Sequence, residues 1–384
     1  MRVLIAFDKF KDSLTAREAG EQAAAALRQL HPDWVIELCP LTDGGEGFCE
    51  ILTSSCGGEI TIQTVTGPRH GNTGASRGIV PLERIPAEAR KLLEIPHASR
   101  AVAVIEMASA SGLALLANDQ RDPWQTTTRG TGELIRAAAQ GGVGAILLGV
   151  GGSATHDLGL GALEALGLEF LTTNGDQVSP PIPANWSHIA RLDGTIDATL
   201  PPIRIACDVT NPLLGRRGAA AVYGPQKGLR ADDLARLDHE SARLGLMLCA
   251  HLKKPDTLMD TPGAGAAGGI SFGLMAGANA QLLSGFDLVT AWLDLEAKLA
   301  AADLVITGEG RFDASSLEGK GPGAVAARAL ALGKAVHVFA GAVTAPPRDQ
   351  LALHAITPVG IPLAQALRDA PQNLVAAVTR AFSA

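Results

Sequence analysis

Short apolar blocks alternate along this chain with stretches of helical periodicity. Val3–Phe7 is such a block, bounded by charge, and has the length of a buried strand. Thr15-Ala-Arg-Glu18 has the capping-box pattern and opens a helix expected to reach about Leu30. Val35–Cys39 is the next expected strand, followed by Pro40-Leu-Thr-Asp-Gly-Gly-Glu-Gly47 and a helix as far as Gly57 and Gly58. The C-terminal part has the same rhythm. Strands are expected at Leu304–Ile306, Ala335–Ala340 and, more weakly, His354–Thr357. Helices are expected at Gly323–Leu332 and at Leu363–Phe382, the latter with a break near Pro371.

The middle has a different texture. Short strands are expected at Ala75–Val80, Ala101–Ile105, Ala145–Gly149 and Ile203–Cys207, with helices near Gly130–Ala139 and Ala231–His251. Neither end alone can cover a parallel sheet, but together they supply five strands. The expected class is therefore α/β: a discontinuous flavodoxin-like, doubly wound parallel sheet from residues 1–65 and 289–384, carrying a large inserted α/β domain at 66–288. A ligand cleft is expected between the two, because pockets favour domain interfaces.

Composition narrows the function. The 384 residues are 47% hydrophobic and only 4% aromatic, which suits close helix–sheet layers. The net charge of −7 and the lack of basic clusters with interleaved aromatics argue against nucleic acid and membrane surfaces as partners. The five cysteines are scattered, with no Cys-x-x-Cys pair, which fits a reducing cytoplasm better than a disulfide or zinc scaffold. The start reads as a first strand rather than a signal peptide.

Chemistry is concentrated where the apolar blocks stop. Asp8-Lys-Phe-Lys-Asp-Ser-Leu14 follows the first strand, with Lys11 and Ser13 suited to an anion. Asp43-Gly-Gly-Glu46 sets two carboxylates around two glycines, a costly sequence unless a metal or substrate hydroxyl is met there. Gly149-Val-Gly-Gly-Ser-Ala-Thr-His-Asp157 follows a buried-strand pattern. Its Gly151, Gly152 and Ser153 could form an N–H nest for phosphate, with Thr155 and Asp157 beside it. His156 has no partner at ligand spacing and is expected to face solvent. Asp208 ends another strand, near Asn211 and before Gly224-Pro-Gln-Lys-Gly228. Gly263–Gly269 matches the dinucleotide spacing, but Asp256–Thr261 before it makes a poor strand. Thr307-Gly-Glu-Gly-Arg-Phe-Asp313 places Glu309 and Asp313 four apart, ahead of Lys320. P-loop and protein-kinase signatures are absent.

In this order the motifs resemble the bacterial glycerate kinase family, from Val3 to about Gly341. The sequence departs from the family pattern at Lys9, His156, Leu158 and Ser315, while keeping the acids and glycines. The resemblance implies two α/β domains, one of them flavodoxin-like, and ATP- and Mg²⁺-dependent phosphorylation of D-glycerate, giving 2-phosphoglycerate. Asp208, then Asp8, are the candidates to take the hydroxyl proton. Lys11 and Ser13 are expected to hold the substrate carboxylate, with Asp43, Glu46 and Asn211 as further substrate contacts. Gly151, Gly152, Ser153, Thr155, Lys227, Gly265 and Lys320 are the expected ATP contacts, and Glu309 and Asp313 the Mg²⁺ ligands. A homodimer is left open. So are a kinase forming 3-phosphoglycerate or acting on tartronate or a tetronate, a non-catalytic sugar-acid sensor, and an NAD(P) oxidoreductase built on Gly263–Gly269.

Overall fold

Thr15 caps its helix as the pattern requires. Its hydroxyl accepts from the Glu18 N–H at 3.1 Å, and the Glu18 carboxylate accepts from the Thr15 N–H at 2.9 Å. The helix Ala16–Leu30 that follows buries a stripe of small residues, Ala16, Ala19, Gly20, Ala23, Ala24 and Ala26, together with Leu27. These details come from a computed structural model that describes residues 1–95, 99–314, 316, 321–346 and 349–383. Among the described residues no helix is long and apolar enough to cross a membrane.

The chain divides into two compact units, Met1–Asp43 with Val289–Ala384, and Gly44–Leu288. The first crossing lies at 43/44 rather than the expected 65/66. The physical reason is the helix Phe48–Ser55, whose Cys49 N–H donates to Glu106 and whose Cys49 thiol donates to the Val104 carbonyl. The strand Glu59–Thr66 likewise pairs with Asn72–Pro81.

The first unit holds a five-stranded sheet in the order Leu351–Ala355, Ala335–Val343, Leu304–Phe312, Arg2–Phe7, Val35–Leu38. All four pairings are parallel. Counted along the chain this is the flavodoxin order, and its direction reverses between Arg2–Phe7 and Leu304–Phe312. Val3–Phe7 and Leu304–Gly308 are buried throughout, as expected of central parallel strands. Val3, Ile5, Phe7 and Ile306 belong to a core shared with the helices Ala16–Leu30 and Ala370–Phe382. Leu4, Ala6 and Val305 are equally buried with the opposite strand parity, and the helices Leu295–Ala301 and Gly321–Ala331 also pack on these strands.

The second unit holds a six-stranded sheet in the order Gln281–Leu283, Ile203–Ala206, Ala145–Gly149, Ala101–Glu106, Asn72–Pro81, Glu59–Thr66. The first four strands are mutually parallel; Asn72–Pro81 runs antiparallel to both its neighbours, Ala101–Glu106 and Glu59–Thr66. A separate hairpin pairs Leu168–Leu171 with Arg191–Gly194. The core of this unit draws on Ile105, Ile146, Leu148, Ile205, Trp186 and Phe272.

Candidate active site

Two groups of candidate side chains lie at the carboxyl ends of parallel strands, one group in each sheet, and each is built within its own unit. In the first unit the group sits where the strand order reverses, the place where open α/β sheets bind ligands. Phe7 is in register with Gly308, so the loop after Arg2–Phe7 runs beside Glu309. A cavity of about 740 Å³ opens here, lined by Asp8, Lys9, Lys11, Asp43, Glu309 and Arg311 among others. Only glycine fits at 308, since a Cβ there would lie 1.8 Å from the Phe339 carbonyl oxygen of the neighbouring strand.

The acids in this cavity resist ionisation. Burial raises Asp8 to about 6, helped by the charge of Asp43 and opposed by Lys9. The Lys9 N–H donates to Asp8 Oδ1 at 2.7 Å, and Lys9 Nζ pairs with Asp43 Oδ1 at 3.0 Å. Burial likewise raises Glu309 to about 7; a Ser316 hydroxyl bond opposes this, while Asp8 and Asp313 add to it. Glu309 Oε1 is buried with no protein partner among the described residues. Asp313 pairs with Arg311 Nε at 3.4 Å, and its N–H donates to Ser316 Oγ. Lys11 is exposed on the cavity wall. Ser13, expected at the substrate, instead donates its hydroxyl to the Leu367 carbonyl at 2.7 Å, which ties the loop to the helix Leu363–Arg368. Lys320 lies outside the described residues, as does Ser315.

In the second unit the group surrounds the loop after Ala145–Gly149. The expected N–H nest is not open at Gly151, whose N–H donates to the Gly44 carbonyl at 3.0 Å. Its missing side chain is needed there, because a Cβ would lie 2.7 Å from the Gly45 backbone. Gly152 adopts φ +71°, and its open side is near the exposed Glu46.

Lys227, expected at ATP phosphates, is only 1% exposed and holds this loop from within. Its Nζ donates to Ser153 Oγ at 2.9 Å and to the Thr155 carbonyl at 2.6 Å. Burial lowers its pKa to about 7, against the pull of Asp157. Thr155 is fully buried, with an Oγ1 that meets no protein partner among the described residues. His156 is buried rather than solvent-facing: its Nε2 meets Ser241 Oγ at 3.0 Å, and burial lowers its pKa to about 3. Asp157 is also buried and accepts from the Thr128 N–H and hydroxyl at 2.7 and 2.8 Å, and from the N–H groups of Gly159 and Gly161.

Asp208 lies two residues past its strand, which ends at Ala206. Its carboxylate accepts from the Phe286 N–H at 3.0 Å and the Ser284 hydroxyl at 3.3 Å, at the start of the helix Gly285–Trp292. Asn211 spends its side chain inside the loop, donating to the Arg217 carbonyl and accepting from Tyr223. Gly265 is a packing residue, since a Cβ there would lie 2.2 Å from the Pro212 carbonyl oxygen. The segment before Gly263 is a 3-10 turn, Asp256–Asp260, so the strand required by a dinucleotide fingerprint is missing.

Sequence reasoning passed over Glu106, which is buried at the end of Ala101–Glu106, and over Thr126, Thr127 and Thr128, all fully buried against the glycine loop. A strand-end acid could have flagged Glu106. The threonines carry no spacing signal.

The model of the glycerate kinase family matches residues 3–384. The chain is 39% identical to a glycerate kinase of Bacillus subtilis (strain 168), covering 97% of this chain and 95% of that protein. It is 38% identical to a glycerate 2-kinase of Escherichia coli (strain K12), covering 90% and 86% respectively. A crystal structure from Salmonella typhimurium LT2, of a protein assigned as glycerate kinase 2, superposes with a TM-score of 0.77 at 38% identity, covering 100% of this chain and 97% of that one. With a family match over nearly its whole length and relatives of similar size and fold, the chain belongs to the glycerate kinase family.

Proposed function

We propose that the protein transfers the terminal phosphoryl group of ATP to the C2 hydroxyl of D-glycerate, giving 2-phosphoglycerate. The observation that carries the residue-level reading is the pair of raised carboxyls, Asp8 and Glu309, beside Lys11 in one cavity at the strand-order reversal. Phosphoryl transfer asks the protein mainly for alignment, charge neutralisation and a base placed at the attacking hydroxyl. A carboxyl with a pKa of about 6 is well matched to taking that proton near neutral pH. Asp8 therefore replaces Asp208 as the preferred base, because both oxygens of Asp208 already hold the start of a helix. Lys11 is placed to meet the substrate carboxylate as a point charge.

Among the described residues no group of three His, Cys, Asp or Glu forms a ready-made metal cage. Mg²⁺ needs no such cage, since it commonly binds through one or two carboxylates, water and phosphate oxygens. The orphaned Glu309 Oε1 and the raised pKa of its carboxyl fit that requirement. Glu309, with Asp313 next to it, would hold the ion, which when bound offsets phosphate charge. The Gly149–Asp157 loop, braced by Lys227, is a proposed anion-binding loop within the second unit, with Gly152 and Ser153 as its remaining N–H donors.

The test is ³¹P and ¹³C NMR after incubation with ATP, Mg²⁺ and D-glycerate. A phosphomonoester coupled to C2 is expected. One at C3 would mark the 3-kinase, and intact ATP would discard glycerate as the acceptor. Asp8→Asn should lower kcat by about a hundredfold or more. A variant with near wild-type kcat would remove Asp8 from the proton transfer.

A further inference from the structure

The cavity beside Asp8 is far larger than a three-carbon acid requires. Its volume of about 740 Å³ is in the range of clefts that hold drug-sized ligands. The charged part of its lining comes from the Asp8–Asp12 loop, Asp43 and the end of Leu304–Phe312. The rest comes from the ends of the next two strands outward, Ala335–Val343 and Leu351–Ala355, and from the segment after them. Leu351–Ala355 is three strand spacings from Arg2–Phe7, roughly 14 Å. The cavity thus has a charged part of mixed sign and, along the outer strand ends, an apolar part.

The Asp8–Asp12 loop adjoins this apolar part through the Ser13–Leu367 bond, but the lining residues from the two outer strands and the segment after them carry no charge. The floor there is low. Gly341 cannot carry a side chain, because a Cβ would lie 2.4 Å from the Gly310 carbonyl oxygen, and Ala355 follows on the next strand. Ile356, Ile361, Leu363 and Ala366 supply apolar wall. Leu363 is 74% exposed and the nearby Val359 is fully exposed, an apolar rim that ligand binding would cover. Glycerate does not suit such a slot, since its carboxylate and hydroxyls would lose water without gaining partners. A flat heteroaromatic ring does suit it, with apolar faces against small and branched side chains and edge nitrogens toward the strand-end backbone.

We propose that this apolar part binds the purine ring of the nucleotide, with the polyphosphate running along the strand ends toward Asp8 and Glu309. This rests on the kinase reading above and adds to it the place of the base. It assigns Ile361, Leu363 and Ala366 to nucleotide specificity, away from the reacting atoms.

The experiment is calorimetric titration of the full-length protein with Mg-ADP and, separately, Mg-pyrophosphate, for wild type, Ala366→Phe and Leu363→Asn. Ala366 is buried, so its variant fills the slot at some risk to folding; Leu363 is exposed and its replacement disturbs no core. The expected result is Mg-ADP binding weakened about tenfold or more in each variant, ~1.4 kcal/mol, with pyrophosphate affinity and the KM for D-glycerate changed by less than about twofold. Unchanged ADP affinity in both variants would overturn the proposal and leave the kinase reading standing. So would equal losses for ADP and pyrophosphate, or a raised KM for D-glycerate alone. A wild-type protein that binds no ADP would overturn the proposal and the ATP-dependent reading together.

Discussion

Asp8 and Glu309 weaken the fold when they ionise. Each has a pKa raised by burial, so its ionised form is disfavoured in the folded protein. Between the ordinary value of 3.8 and about 6, folded Asp8 keeps a proton that the unfolded chain has released. Stability therefore falls as pH rises through that window, and for Glu309 the window runs from 4.5 to about 7. Above both windows the full penalty is present. Asp8→Asn and Glu309→Gln should each raise the melting temperature at about pH 8 and lose this advantage at about pH 4. Activity should run the other way, with kcat/KM for wild type rising with pH through about 6 as Asp8 ionises. Melting curves across pH check the first expectation; an unchanged melting temperature at high pH would show that neither carboxyl is strained. The raised values were not legible in the sequence, because strand-end position marks an acid without revealing what buries it. Asp8 and Asp208 look alike in sequence, and only the structure shows one in a cavity and the other capping a helix.

At the scale of elements, the apolar blocks located most strands well, and the capping box at Thr15 placed its helix to the residue. Of the strands not expected, Glu59–Thr66 and Gln281–Leu283 are edge strands with few buried positions and so carry weak hydrophobic patterns, while the paired Leu168–Leu171 and Arg191–Gly194 are only four residues each. The Gly149–Asp157 loop stands out in sequence as a candidate site, but its internal economy does not. Lys227, expected at the ATP phosphates, is instead the buried brace of Ser153 and Thr155. Lys227→Met keeps the length of the side chain and removes both donors. The orphaned Ser153 hydroxyl and Thr155 carbonyl should then cost about 1–3 kcal/mol. The pH sign gives a control. Folded Lys227 has a pKa of about 7 against 10.5 unfolded, so the unfolded chain binds an extra proton between these values. Wild-type stability therefore gains with rising pH in that window, a gain the variant lacks. Denaturant titrations should show the gap between wild type and Lys227→Met widening from about pH 7 to pH 9. A gap independent of pH would mean that the lysine is not held in a dry site.

For the molecule as a whole, the order of strands was the legible feature and the point of insertion was the elusive one. Five strands from two chain ends could be paired only by treating the middle as an insertion, and the parallel five-stranded sheet has that composition. The first crossing was harder to see because Asp43-Gly-Gly-Glu46 reads as one loop, while the compact units divide inside it. Each unit has its own hydrophobic core: one cluster draws only on residues from 65 to 280, the other only on residues before 28 or after 303. The two differ in a way that matters for folding. The second unit is continuous in sequence, so its sheet closes through local crossovers. The first must bring Arg2–Phe7 to Leu304–Phe312 across the whole insertion, and that pairing forms its centre. Long loops cost closure entropy, although the cost grows only slowly with length. Residues 44–294, which include the whole helix Gly285–Trp292, should therefore fold alone. Circular dichroism of that fragment should show one cooperative thermal transition, and its amide spectrum should be dispersed. The two flanking pieces, mixed without the insertion, should show neither at the same concentration. A fragment that stays unfolded would mean that the second unit depends on the discontinuous one for its stability, despite a core drawn entirely from its own residues.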